Sequence, residues 1–208
     1  MKKRLSSFLI ILLLVTIWVY NADAAPNAKV VGRTYVNGKY GFQISLPDDL
    51  TKWSIQAKEE KVSVGDITAT VFNIITGPSQ AVVNVGVEET TYSLRSYFEL
   101  TMAGCELLVR KWEKESTRVI VIGEEKLDGY ELIATFSGII GDVETEYKSI
   151  QWIAIRDKYA YVITGRDTSK NFDIDVFRKI MSTFKFLSIA VSEEKSTATM
   201  WGYIRNGL

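Results

Sequence analysis

The chain has no histidine, one cysteine and three prolines in 208 residues. Without histidine there is no Ser-His-Asp triad, no Cys-His pair, no His-ligated zinc and no imidazole switch. The lone Cys105 leaves no internal disulfide, so stability has to come from a packed core. Charge of one sign is missing as well: 25 Lys and Arg balance 25 Asp and Glu. A balanced chain lacks the basic footprint of a nucleic-acid binder, so no nucleic-acid partner is expected. A Gly-rich phosphate loop is also absent. Gly138 and Gly141 flank Ile139-Ile140 in a strand-and-turn pattern rather than ahead of a helix. What the chain does hold is 47% hydrophobic and 12% aromatic residues, ordinary for a globular domain.

Residues 1–24 have the form of an export signal. Lys2, Lys3 and Arg4 precede an apolar run from Phe8 to Tyr20, and Ala22-Asp23-Ala24 follows. Small residues at Ala22 and Ala24 suit a signal peptidase cutting before Ala25. The run is shorter than the ~20 residues of a membrane-spanning helix, so a cleaved signal is expected rather than an anchor. No later stretch is long enough to span a bilayer. Residues 25–33 are small and polar without a period and read as a flexible leader.

From Thr34 the pattern changes. Phe42, Ile44 and Leu46 alternate with polar residues until Pro47-Asp48-Asp49, which predicts a strand and a turn. Trp53–Ala57, Ile67–Ile75 and Val83–Val87 predict further strands. Ser93 can cap a helix whose stripe is Leu94, Phe98, Thr101, Cys105, Leu108 and Trp112, with Arg110, Lys111 and Lys114 toward its end. Strands follow at Thr117–Gly123, Tyr130–Phe136, Glu144–Arg156 and Tyr159–Thr164. In the last pair Ile150 and Trp152 are set against Ile153 and Ile155 on one strand, and Tyr161 and Ile163 against Val162 on the next, so the sheet centre should be covered on both faces. A second helix is expected over about 172–183 and a short strand over 184–187. Residues 188–208 form a weakly patterned tail. Short turns between strands predict an α+β domain over 34–187, with a largely antiparallel sheet sandwiched by helices.

Two motifs frame that domain: Tyr40-Gly41-Phe42-Gln43-Ile44-Ser45-Leu46-Pro47-Asp48 and Phe177-Arg178-Lys179-Ile180-Met181-Ser182-Thr183-Phe184-Lys185-Phe186. With one helix and a meander between them, the pattern resembles the PsbP-like family. That family holds photosystem II extrinsic subunits, a Ran-binding nuclear-transport protein and many exported bacterial proteins. The resemblance implies an α/β/α sandwich and a non-enzymatic binding or accessory role. Its members have unrelated partners, so the fold alone names none.

Candidate chemistry is sparse. Ser182-x-x-Lys185 matches a penicillin-binding pattern, but it falls where a helix gives way to a strand, and no companion motif is present. Cys105 lies on an apolar helix face and reads as a small buried hydrophobe. The acid pairs at 48–49, 59–60, 88–89, 124–125 and 193–194 read as solvated charge, because neighbours on a strand point opposite ways. No catalytic residue, metal or cofactor is expected. Trp53, Trp201 and Tyr203 are the candidate partner contacts, since Trp and Tyr are enriched at binding hot spots. The expected function is an exported, non-catalytic protein that binds an unidentified protein at the cell envelope. The alternative is an exported small-ligand or metal-binding module with a pocket between helix and sheet.

Overall fold

The computed structural model describes residues 28–187, apart from 65–66 and 141–142. The expected signal, residues 1–24, and the tail 188–208 lie outside the described residues. Among the described residues, eleven strands and two helices follow one another. The first three strands are β1 (Ala28–Val31), β2 (Thr34–Asn37) and β3 (Phe42–Ser45). Next come β4 (Ser54–Val64), β5 (Ile67–Thr76) and β6 (Val82–Glu89), then helix α1 (Leu94–Leu108). Four long strands follow: β7 (Glu113–Ile122), β8 (Leu127–Ile140), β9 (Val143–Arg156) and β10 (Tyr159–Thr168). Helix α2 (Ile174–Met181) and β11 (Lys185–Phe186) complete the order.

The strands form a seven-stranded sheet, ordered β4-β5-β6-β10-β9-β8-β7, and a four-stranded one, ordered β1-β2-β3-β11. Every pairing is antiparallel, as short turns require. The two-faced alternation predicted for β9 and β10 is present. Ile150, Tyr161 and Ile163 enter one core, and Ile153 and Val162 enter another.

The helices lie on opposite faces of the large sheet, but one face is shared with a second sheet, so the expected helix sandwich is met only in part. One face of the large sheet carries the small sheet together with α2, and the core there includes Phe42, Phe72, Val85, Ile163, Phe177 and Phe184. Only the other face is covered by a helix alone, where Tyr97 of α1 packs on Val71, Ile153, Ala160 and Val162. The domain is therefore sheet-dominated with two short helices, not a full α/β/α sandwich. The reason lies in the 28–45 segment. Part of the expected leader, 28–31, forms β1 and pairs residue by residue with β2. Alternating burial in β2 and β3 turns one side of that hairpin onto the large sheet.

Helix boundaries follow their caps. Ser93 accepts from the backbone N–H of Ser96, and Asp173 accepts from those of Asp175 and Val176. Helix α1 stops at Leu108, short of the predicted Trp112, because Val109 is extended and Lys111 takes a left-handed φ of 48°. Arg110 and Lys111 thus lie beyond the helix, where both meet Glu144. Gly165 lets α2 approach β10: a Cβ there would stand 2.8 Å from Cγ of Phe177.

Candidate functional site

The large sheet carries three features that packing alone does not require. The first is a clamp on the α2 side. Arg118, Glu131 and Trp152 stand opposite one another on β7, β8 and β9, and Arg178 descends from α2. Glu131 is 2% exposed. Its carboxylate accepts from Arg118 Nε (2.8 Å) and Nη2 (3.1 Å), Arg178 Nε (3.2 Å) and Nη2 (2.6 Å), and Trp152 Nε1 (2.9 Å). Burial pushes this carboxyl up, but the hydrogen bonds from Arg178, Arg118 and Trp152 outweigh it and hold it down at about 2. Both carboxylate oxygens are occupied, so at neutral pH Glu131 is an anion that pins α2 to the sheet and has no spare lone pair for acid–base work.

The second feature lies under α1. Glu88 stands between Ala69 of β5 and Ala160 of β10, and these small neighbours leave space for the Tyr97 ring. Tyr97 Oη donates to Glu88 Oε2 at 3.0 Å. Burial raises the Glu88 carboxyl to about 7, while the Tyr97 hydrogen bond opposes the rise. Further along the same face, Asn84, Thr164 and Gln151 form a buried polar row across β6, β10 and β9.

The third feature is the β7 edge. Among the described residues β7 pairs only with β8. Its Val119 and Val121 are 68% and 59% exposed, while Ile120 and Ile122 pack inward on the α2 side. Tyr130 stands opposite Val119 and stacks on Phe98 of α1, with centroids 4.3 Å apart. The opposite edge, β4, carries Lys58, Glu59, Glu60 and Lys61 and is flanked by β1 and β2.

The residues singled out from the sequence are not brought together. Trp53 is half-buried, set edge-on to Phe177 at 5.7 Å, with its ring over Gly77. Trp201, Tyr203, Ala22, Ala24 and Ala25 lie outside the described residues. Cys105 is fully buried, and burial pushes its thiol up to about 12, so it is no nucleophile. Ser182 hydroxyl bonds the Lys179 carbonyl while Lys185 pairs with Glu124, so the Ser-x-x-Lys match has no active-site geometry. The acid pairs are not uniformly solvated. Glu89 pairs with exposed Lys158, but Glu88 is 5% exposed, because both faces of β6 are covered. Glu124 and Glu125 pair with Lys185 and Arg156.

Sequence reasoning also missed Tyr97, Glu131, Arg118 and Arg178. Tyr97 was legible: it sits four residues before Thr101 and eight before Cys105, on the same helical stripe. The Glu131 clamp was not, because its second arginine comes from 47 residues downstream.

Among the described residues no group of three or more Asp, Glu or Cys is placed to hold a metal ion. None of the described helices is long and apolar enough to cross a membrane. Comparison with protein-family models gives no match, and comparison with curated proteins gives none. Solved structures do match. PA94 from Pseudomonas aeruginosa, a protein of unknown function, is 11% identical with a TM-score of 0.42, over 68% of this chain and 88% of its own. A Bacteroides thetaiotaomicron protein is 13% identical with a TM-score of 0.42, over 74% of this chain and 48% of its own. LpqN, involved in cell envelope biogenesis of Mycobacterium tuberculosis, is 7% identical with a TM-score of 0.41, over 70% of this chain and 83% of its own.

Proposed function

We propose that the chain is an exported, non-catalytic binding protein of PsbP-like type that acts at the cell envelope, where it takes up an extended segment of a partner protein along β7. The observation that carries the reading is the unguarded stretch Val119–Ile122. It combines β-prone side chains, an edge with no strand beside it among the described residues, and two exposed valines on one face. An extended segment laid antiparallel to β7 gains main-chain hydrogen bonds from the edge and side-chain contact from Val119, Val121 and the Phe98–Tyr130 stack. The motifs around Tyr40–Asp48 and Phe177–Phe186 support the family reading, and the Ala22-Asp23-Ala24 site supports export. A non-catalytic role is supported by the side chains themselves: Glu131 is saturated, Cys105 is buried and histidine is absent.

The test is crosslinking capture from native envelope extract with 25–208 as bait, beside Val121→Lys and a bait ending at 187. Lysine on an exposed strand position should leave unfolding within about 0.5 kcal/mol of wild type. The reading expects one defined partner on the wild-type bait that Val121→Lys loses. Capture that survives Val121→Lys but fails in the shortened bait would move the contact to 188–208. A wild-type bait that crosslinks only to itself would make the edge a self-association surface.

A further inference from the structure

The two edges of the large sheet are not equally guarded. Edge β4 carries Lys58, Glu59, Glu60 and Lys61, has a bulge between Ile55 and Lys58, and is flanked by β1 and β2. Charges and bulges of this kind keep an edge from adding another strand. Edge β7 has them in its first half, with Glu113, Lys114 and Glu115 and a bulge between Lys114 and Ser116. From Val119 to Ile122 it carries no charge, no proline and no bulge. This unguarded half is the one that runs into the β7–β8 turn at Gly123.

The C-terminal end of the described residues lies at the same turn. Phe186 packs beside Gly123, where a Cβ would stand 3.4 Å from its ring. Lys185 Nζ donates to Glu124 Oε1 at 2.6 Å. Arg156 bridges the two segments: Nη1 donates to the Leu187 carbonyl at 2.8 Å, and Nη2 to Glu125 Oε1 at 2.9 Å. Residues 188–208 therefore begin beside the Ile122 end of β7. A segment turning back along the edge from there runs antiparallel to β7, the direction of every other pair in this sheet. Its reach is ample. The 10 residues of β7 span about 33 Å, and the 21 residues from 188 to 208 extend to about 70 Å.

We propose that residues 197–204 of this same chain occupy the β7 edge as a displaceable strand, so that a partner segment reaches β7 only by expelling the tail. This rests on the reading of β7 as the docking edge and adds its regulation. The stretch Thr197-Ala198-Thr199-Met200-Trp201-Gly202-Tyr203-Ile204 suits an edge strand: it is rich in β-branched and aromatic residues, without charge or proline. Alternation sets Thr197, Thr199, Trp201 and Tyr203 on one face and Ala198, Met200, Gly202 and Ile204 on the other. Either register thus lays apolar groups over the exposed Val119 and Val121. The antiparallel direction also carries Arg205 toward the Glu113–Glu115 end of β7, which is net acidic. Residues 188–196 supply the connection. A segment tethered this closely sits at about millimolar effective concentration, enough for a pairing too weak to persist between separate molecules. Held by main-chain bonds on one side only, it stays open to exchange with a partner strand.

Amide hydrogen exchange over 116–122, read by mass spectrometry, tests the tail without any partner. Wild-type 25–208 is compared with Met200→Pro, which removes one N–H and bars a regular strand, and with the conservative Met200→Leu. The proposal expects 116–122 to exchange roughly tenfold faster in Met200→Pro than in wild type, with Met200→Leu like wild type and rates independent of protein concentration. In the envelope crosslinking, the Met200→Pro bait should capture the β7 partner more strongly than wild type. Equal exchange in all three proteins would overturn the proposal. Protection that grows with protein concentration would mean that a second copy covers the edge, and would overturn the tail as its occupant. Faster exchange in β9 and β10 as well would make the tail part of the core rather than a displaceable strand, with the same consequence. The two readings fail separately. Equal exchange leaves partner capture through Val121 untouched, whereas a partner indifferent to Val121→Lys removes the docking reading while 116–122 still reports the tail.

Discussion

Replacing Glu131 by glutamine keeps the shape of a side chain that accepts five hydrogen bonds and removes its charge. Two guanidiniums then face each other across a neutral amide, which has one acceptor oxygen where the carboxylate had two. The free-energy scale follows from the carboxyl being held down from 4.5 to about 2. At ~1.4 kcal/mol per pKa unit this amounts to roughly 3 kcal/mol. Arg118 and Arg178 are 57% and 33% exposed, so solvent screens part of it. A net loss of about 2 kcal/mol is expected. For a domain of this size that lowers the melting temperature by ~4–8 °C. The sign with pH is definite. A depressed carboxyl stabilises the fold above its unfolded pKa and loses that contribution as pH falls through its folded value. The gap between wild type and Glu131→Gln should therefore be full at pH 7 and close between about pH 4.5 and pH 2. Urea unfolding at pH 7, 4 and 2.5 reads it directly. A variant within ~0.5 kcal/mol of wild type at pH 7, or a gap that does not narrow in acid, would refute the view that this clamp holds α2 on the sheet.

Glu88 should behave in the opposite sense. Its carboxyl is raised to about 7, so its contribution is fully present below the unfolded value and is lost as pH rises through neutrality. Glu88→Gln should be more stable than wild type by roughly 3 kcal/mol at pH 8 and equal to it at pH 4, by urea midpoints at the two pH values. Gly165→Ala should drive a methyl into Phe177 and cost ~1–3 kcal/mol, read as a lowered denaturant midpoint. Cys105 should react with a thiol reagent at the global unfolding rate in native buffer and at once in urea, since its thiol is buried and raised to about 12.

Much of the fold was legible because local period sets local structure. The alternation in Phe42–Leu46, Val83–Val87 and Glu144–Thr164 places those strands, and the switch to steps of three and four at Leu94 places α1. Ser93 marks the start of α1 by its own side chain, whereas Asp173 caps α2 at a position the expected span 172–183 had placed inside the helix. The candidate site was much less legible. The clamp on Glu131 gathers residues 118, 131, 152 and 178, and the polar row gathers 84, 151 and 164; no local period links them. The misreading of Glu88 has the same origin. An acid at a strand end is usually solvated, and only the helix laid over it from six residues downstream buries it.

Composition and spacing thus account on their own for most of the strands from β3 onward, the start of α1, the antiparallel connections and the exclusion of histidine and disulfide chemistry. These depend on the backbone preferences of neighbouring residues and on which atoms are present at all. Tertiary structure decided which of two similar faces meets a helix and which meets a second sheet, that β7 rather than β4 is the exposed apolar edge, and which polar side chains are buried together. Those outcomes depend on contacts between residues far apart in sequence, whose free energies become favourable only once the intervening chain has been ordered.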